Sequence, residues 1–173
     1  MSTAAAKHST GLPGDQEPFA LHVEDCKLIG REIRHYDDPR AASIGALKIV
    51  QKRHGWVPDA AIPAIGLLLG IPASDVEGVA TFYSLIFRRP VGRHVIKICD
   101  SVACFLTGYE EVRDEVCKRL GIGFGETTAD GRFTLLPICC LGACDRGPVL
   151  MIDEETHFDV APGDIARLLE RYP

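Results

Sequence analysis

A chain of 173 residues, 46% hydrophobic and 25% charged, is long enough to bury a real core as one ordinary domain or two small ones. No apolar run approaches the roughly 18 residues that cross a bilayer, and the longest such stretch, 60–69, is interrupted by Pro63 and Gly66, so a transmembrane span is excluded. A net charge of −5 argues against general nucleic-acid binding, which depends on Lys and Arg neutralising phosphates.

In chain order, the first 16 residues lack the apolar centre of an export signal. Residues 1–19 are therefore expected to be a disordered tail on a cytoplasmic protein. Residues 20–88 read as a small helical bundle. Ile29, Ile33 and Tyr36 fall at helical spacing, and Asp37-Asp38-Pro39 stops that helix and opens the next. Ile44, Leu47 and Val50 make the stripe of a second helix with Gly55 as its stop. Pro58-Asp59 opens a third, ended by Gly70, and Ser74-Asp75-Val76-Glu77 has the pattern of a capping box for a fourth that runs through Phe82-Tyr83.

The segment Phe87–Arg93, with Pro90 and Gly92, breaks the helical pattern, and residues 89–173 read as a second domain with a different period. His94–Ile98 is a β-branched strand, Gly108–Leu120 an amphipathic helix and Arg132–Leu136 a strand. Val149–Ile152 is a further strand with His157–Val160 as its hairpin partner, and Pro162–Arg171 is a closing helix. Strands and helices in this order describe a small α/β sheet domain, so the whole chain is α+β.

The two halves differ in charge and in cysteine. Residues 1–92 carry ten Lys plus Arg and ten Asp plus Glu, whereas residues 93–173 carry nine and fourteen, so the entire excess of −5 lies in the second half. That half also holds Cys99, Cys104, Cys117, Cys139, Cys140 and Cys144, leaving only Cys26 outside. An odd number of cysteines without an export signal disfavours a disulfide framework. Both strands in question run straight into cysteine loops, Cys99-Asp-Ser-Val-Ala-Cys104 and Cys139-Cys140-Leu-Gly-Ala-Cys144. Two pairs at the ends of adjacent strands can converge on one point, which suits an iron–sulfur cluster, a structural zinc or a thiol–disulfide site, with unliganded structural cysteines as the remaining reading. The Cys-x4-Cys and Cys-x3-Cys spacings are wider than the Cys-x2-Cys turns usual around zinc. Small neighbours, Ser101, Ala103, Gly142 and Ala143, let backbone N–H groups approach sulfur, and both features lean toward a two-iron centre.

The stretches 95–101 (VIKICDS) and 130–145 (DGRFTLLPICCLGACD), with 78–84 (GVATFYS) and 151–157 (MIDEETH), resemble the family of thioredoxin-like 2Fe-2S subunits of bacterial NADH–quinone oxidoreductase, respiratory complex I. The resemblance covers nearly everything after about Glu32. It implies a thioredoxin-like fold behind a helical domain, and one 2Fe-2S cluster on Cys99, Cys104, Cys140 and Cys144, the first two on one iron and the others on its neighbour. By the same resemblance the chain carries single electrons beside a flavin- and NADH-binding subunit that holds the FMN. Further peripheral-arm subunits are expected as partners, on the cytoplasmic side of the inner membrane. An equivalent subunit of an NAD-linked formate dehydrogenase or bidirectional hydrogenase is the nearest alternative, and a zinc-stabilised adaptor without redox role a remoter one. Cys139, one residue from a ligand on extended backbone, should face away from the cluster, and Cys26 and Cys117 should be buried thiols.

Other constellations carry less. The helix SDVEGVATFYS has two acidic residues and no Lys or Arg, so it would repel DNA. Gly121–Gly125 follows a helix rather than preceding one and reads as a turn, not a phosphate loop. His94 and His157 read as strand residues, and Phe82-Tyr83 as either core or docking surface. Arg88, Arg89 and Arg93 read as a solvated group or as a contact for an acidic partner. No catalytic residue is assigned to this chain.

Overall fold

The computed structural model describes residues 19–173. The expected tail lies outside them except for Phe19, whose ring packs 5.5 Å from that of His54. Among the described residues no single helix is long and apolar enough to cross a membrane.

Four helices come first: α1 (Val23–Ile33), α2 (Ser43–His54), α3 (Ala61–Leu69) and α4 (Ala73–Phe82). Ile29, Leu47, Val50, Ile65 and Val76 interlock from all four and have no exposed surface, each contributing about 1.5–3 kcal/mol by leaving water. Gly55 and Gly70 end α2 and α3 in the left-handed region, at φ 79° and 69°, where glycine avoids the Cβ clash. Asp38 accepts the Arg40 N–H and opens a short 3-10 turn, Pro39–Ala42, ahead of α2. The start of α3 is later than the sequence suggests, because Pro58–Ala60 is spent on a turn. The expected capping box does not form. Helix α4 begins at Ala73, which puts Ser74 inside it, and the carboxylates of Asp75 and Glu77 turn instead to Arg40 and Arg88.

The second half is a four-stranded sheet in the order β2-β1-β3-β4: β1 (His94–Cys99), β2 (Phe133–Ile138), β3 (Leu150–Ile152) and β4 (Glu155–His157). Strand β1 pairs parallel with β2 and antiparallel with β3. The parallel pair requires a crossover, supplied by α5 (Val102–Leu106) and α6 (Tyr109–Leu120). α7 (Ile165–Glu170), preceded by the 3-10 turn Pro162–Asp164, closes the chain. Val95–Cys99 is buried at every position rather than alternately, as a central strand covered on both faces must be. Lys97 sits in that run because its Nζ donates to the Asp153 carbonyl at 2.8 Å, while burial pushes its pKa down. Asp153, at φ 53° in the β3–β4 turn, also accepts the Val95 N–H at 2.9 Å and meets His94 Nδ1 at 2.7 Å. The turn is therefore pinned to the first strand. The expected hairpin partner His157–Val160 is in fact Glu155–His157, because the chain reverses at Asp153-Glu154, and Phe158–Val160 leaves the sheet.

Each half has its own buried cluster, one running from Ile29 to Ile86 and the other from Ile96 to Leu168. Gln51 ties the connector to α2 by accepting the Phe87 N–H at 2.6 Å and donating to the Leu85 carbonyl at 2.9 Å. Gly92 ties it to the sheet, with its N–H 2.6 Å from Thr134 Oγ1. Arg88, open to solvent or a partner in the sequence reading, is held inside the first half by Asp59 at 2.7 Å, Glu77 at 2.9 Å and the Val57 carbonyl at 3.1 Å.

Between α1 and α2, Asp25 is buried, and Arg53 grips it through Nε at 2.6 Å and Nη2 at 2.7 Å. The Arg53 hydrogen bond holds the Asp25 carboxyl below its ordinary range, against the opposing effect of burial. A depressed carboxyl stabilises the fold above its unfolded pKa of about 3.9, and that stability is lost as the pH falls through the lower folded value. Asp25→Asn should lower the Tm by several degrees at neutral pH, and its thermal denaturation curve should approach that of the parent chain below about pH 4.

Candidate metal centre

Strand register builds the site. Cys99 closes β1 opposite Ile138 at the end of β2, so the loops that follow leave the same edge of the sheet side by side. The Asp100 N–H donates to the Ile138 carbonyl at 3.0 Å and carries the pairing one residue beyond the strands. From there Ser101 leads into α5, a helix that the sequence pattern missed because five residues are too few to show a period. The other loop makes a glycine turn at Gly142, φ 80°, and a 3-10 turn, Cys144–Arg146, that packs beside α5.

All four expected ligand positions are at this edge, in two environments. Cys99 and Cys104 are buried at 2% and 1% exposure, whereas Cys140 and Cys144 are exposed. The Cys140 and Cys144 sulfurs lie 3.7 Å apart. Two thiolates on one tetrahedral metal with bonds of about 2.3 Å sit about 3.8 Å apart, so this pair already has the spacing of ligands that share an ion. Cys99 influences the protonation of both Cys104 and Cys140. The donors are sulfur alone, which suits soft metal ions and clusters rather than calcium or magnesium.

Protonation differs between the two environments. Burial, then the hydrogen bond with Cys99, pushes the Cys104 thiol up to about 11. The Gly142 N–H, 3.3 Å from Cys140 Sγ, draws that thiol down, and the hydrogen bond with Cys140 pushes Cys144 up. Cys140 is the sulfur best prepared to ionise. Cys104 keeps its proton until a metal displaces it. Val149 serves both buried cysteines, accepting the Cys99 N–H at 3.1 Å and directing its own N–H at Cys104. The Cys139 carbonyl lies 4.0 Å from Cys99 Sγ, and Cys139 itself is an exposed residue beyond the end of β2.

Cys26 and Cys117, expected to be buried thiols, are half-buried, on α1 and α6 respectively. His94 is held by Asp153, and His157 Nε2 lies 3.1 Å from the Tyr172 hydroxyl, so both serve the sheet and the C-terminus. Gly121 caps α6, and the Gly125 N–H bonds the Leu135 carbonyl, which makes that segment a connection. Phe82 and Tyr83 pack edge to face at 5.1 Å with Phe82 80% exposed, which removes Phe82 from the core.

A four-stranded mixed sheet that delivers two cysteine loops to one edge defines a thioredoxin-like domain built around a cysteine metal centre. The chain belongs to the thioredoxin-like [2Fe-2S] ferredoxin family, whose signature matches residues 29–173, and one [2Fe-2S] cluster is its cofactor. It is 66% identical over 154 residues to the E subunit of NADH-quinone oxidoreductase from Pseudomonas aeruginosa, covering 89% of this chain and 93% of the relative. It is 63% identical over 156 residues to the same subunit from Escherichia coli K12, covering 90% and 94%. Among solved structures, an air-oxidized NAD+-reducing [NiFe]-hydrogenase matches 78% of this chain and 22% of its own, with a TM-score of 0.61 at 22% identity. That last likeness is one of fold.

Space around the buried sulfur is tight. A Cβ on Gly147 would come within 2.6 Å of Thr107 Oγ1 and 3.4 Å of Cys104 Sγ. Its φ of −74° suits any residue, so only packing is at stake. Gly147→Ala should cost about 1–3 kcal/mol of stability through overpacking and lower the iron bound per chain. Gly163→Ala, with nothing within 4 Å of the added carbon, should bind iron like the parent chain.

Proposed function

We propose that the chain is the electron-carrying [2Fe-2S] subunit of an NADH–quinone oxidoreductase, with Cys99, Cys104, Cys140 and Cys144 as the complete ligand set of its cluster. The observation that supports this best is the convergence of two cysteine loops at one sheet edge, one pair buried and the other pair at the spacing of ligands on a shared metal. The cluster, when bound, exchanges one electron at a time, which suits it to a flavin that receives two together from NADH. This chain's residues hold and shield it. Val149 and Gly142 direct backbone N–H groups at Cys104 and Cys140, an arrangement that eases the accumulation of negative charge on the sulfurs. Cys99 and Cys104 keep water from one side, while Cys140 and Cys144 leave the other open for transfer.

The direct partner is the flavin- and NADH-binding subunit, with other peripheral-arm subunits beyond it, on the cytoplasmic face of the inner membrane. Transfer needs close approach to the exposed pair of sulfurs. The surface beside it, on α5, presents Val102, Phe105 and Leu106 at 73%, 53% and 78% exposure, apolar side chains that a partner would cover. The helical half and the Phe87–Arg93 connector supply the remaining contact. An equivalent place in a hydrogenase rests only on the remote likeness of fold, and the family argues against a zinc adaptor.

Anaerobically purified protein should be brown, with an EPR signal after one-electron reduction. Cys140→Ser and Cys144→Ser should lose or distort that signal, and Cys139→Ser should retain it. The reverse pattern would overturn the ligand set. Leu106→Glu should keep the parent spectrum yet pull down less flavin when the tagged chain is isolated from cells; undiminished flavin would remove α5 from the interface.

A further inference from the structure

The segment that leaves the sheet after β4 has a second attachment. Phe158, Asp159 and Val160 turn away from the hairpin and close on the loop that follows Cys144. The Asp159 N–H donates to the Arg146 carbonyl at 2.9 Å, and the Val160 N–H to the Pro148 carbonyl at 3.0 Å. In return Arg146 donates from Nε and Nη2 to Asp159 Oδ2 at 3.0 and 2.8 Å, and its guanidinium lies 4.4 Å from the centre of the Phe158 ring. Asp159 adopts φ 51° to make this turn, a left-handed conformation that Asp tolerates better than most residues.

The contacts fall on the short 3-10 turn Cys144–Arg146, whose first residue is Cys144. On the other side this turn has the Arg146 N–H bond to the Ala143 carbonyl at 3.1 Å and the packing of α5. Leu141 and Ala143 are only partly buried against the core. The exposed sulfur pair therefore depends on a loop with little burial of its own, the kind of segment that opens locally without global unfolding.

We propose that Arg146 and Asp159 are positioning residues for the cluster: their reciprocal grip holds Cys144 at its ligand position, and Asp159 offsets the positive charge that Arg146 would otherwise present to the cluster. The proposal rests on Cys140 and Cys144 being ligands. Both side chains are more than half exposed, so the pair adds little to global stability. Its effect is local, on how often the turn opens.

The test uses the full chain with its cluster, challenged with an iron chelator while the visible absorbance is followed, alongside an EPR-monitored redox titration and a thermal melt. Asp159→Asn and Arg146→Gln should each bleach about three- to fivefold faster than the parent, with Tm nearly unchanged. The double variant should bleach no faster than either single one, as expected for two halves of one interaction. The midpoint should rise in Asp159→Asn and fall in Arg146→Gln. Arg146→Lys, which keeps the charge but loses the two-nitrogen grip, should bleach fast at a parental midpoint. A purely structural contact would instead lower Tm in step with cluster loss and leave the two midpoints unsplit. Parental bleaching in both single variants, or midpoints that move together, would overturn the proposal. Cys144→Ser separates the two ideas: a parental spectrum there would defeat the ligand assignment, whereas loss of the signal together with parental bleaching in the Asp159 and Arg146 variants would defeat the brace alone.

Discussion

Parallel pairing of His94–Cys99 with Phe133–Ile138 is the constraint from which the site follows. Parallel strands end at the same edge, so two loops separated by 34 residues of sequence begin next to each other. The crossover that parallel pairing demands passes through α5, which starts within the first loop and carries Cys104 back under the sheet edge. Antiparallel pairing of the same strands would have sent the loops to opposite ends. The buried run in β1 follows from the same arrangement, since the central strand is flanked by β2 and β3 and covered on both faces.

The division between buried and exposed cysteines has consequences for both assembly and transfer. The pair formed by Cys99 at the end of β1 and Cys104 on α5 is shielded, and Cys104 gives up its proton only when metal replaces it. The pair beyond β2 is open, with one sulfur favoured toward the thiolate by a backbone N–H. A centre held by these four sulfurs would be open on the side of Cys140 and Cys144 and shielded on the side of Cys99 and Cys104. The half that holds these cysteines also carries the chain's whole acidic excess, which would favour a potential in the lower part of the wide range open to iron–sulfur clusters. The backbone N–H groups at Gly142 and Val149 oppose that tendency at short range.

The helical half carries none of the four cysteines proposed as ligands, and although most of its charged residues are exposed, a few make ion pairs that hold it together. Asp25 with Arg53 and Arg88 with Asp59 and Glu77 fasten helices and turns that are distant in sequence. Among the side chains that half leaves outward are large apolar ones, including Leu67 at 86% and Phe82 at 80% exposure. A small bundle with outward aromatic and aliphatic side chains is suited to contact with other subunits.

The sequence by itself determined which atoms could hold a cofactor and where most elements begin and end, because both are local. Cysteine spacing, the left-handed glycines at 55 and 70, the β-branched run before Cys99 and the family motifs are each legible within a few residues. Tertiary structure decided what depends on partners remote in the chain. The Ser74–Glu77 pattern promised a capping box, yet Arg40 and Arg88 claimed its carboxylates. Phe158–Val160 read as strand, yet hydrogen bonds to Arg146 and Pro148 drew it away from the hairpin. The α5 helix is too short to have a period, and its place under the sheet edge comes from the strand register. The burial of Cys99 and Cys104 against the exposure of Cys140 and Cys144 could not be read from four similar loop positions, since burial is set by what packs over a residue, and here that is a helix and a sheet edge brought together only by the fold.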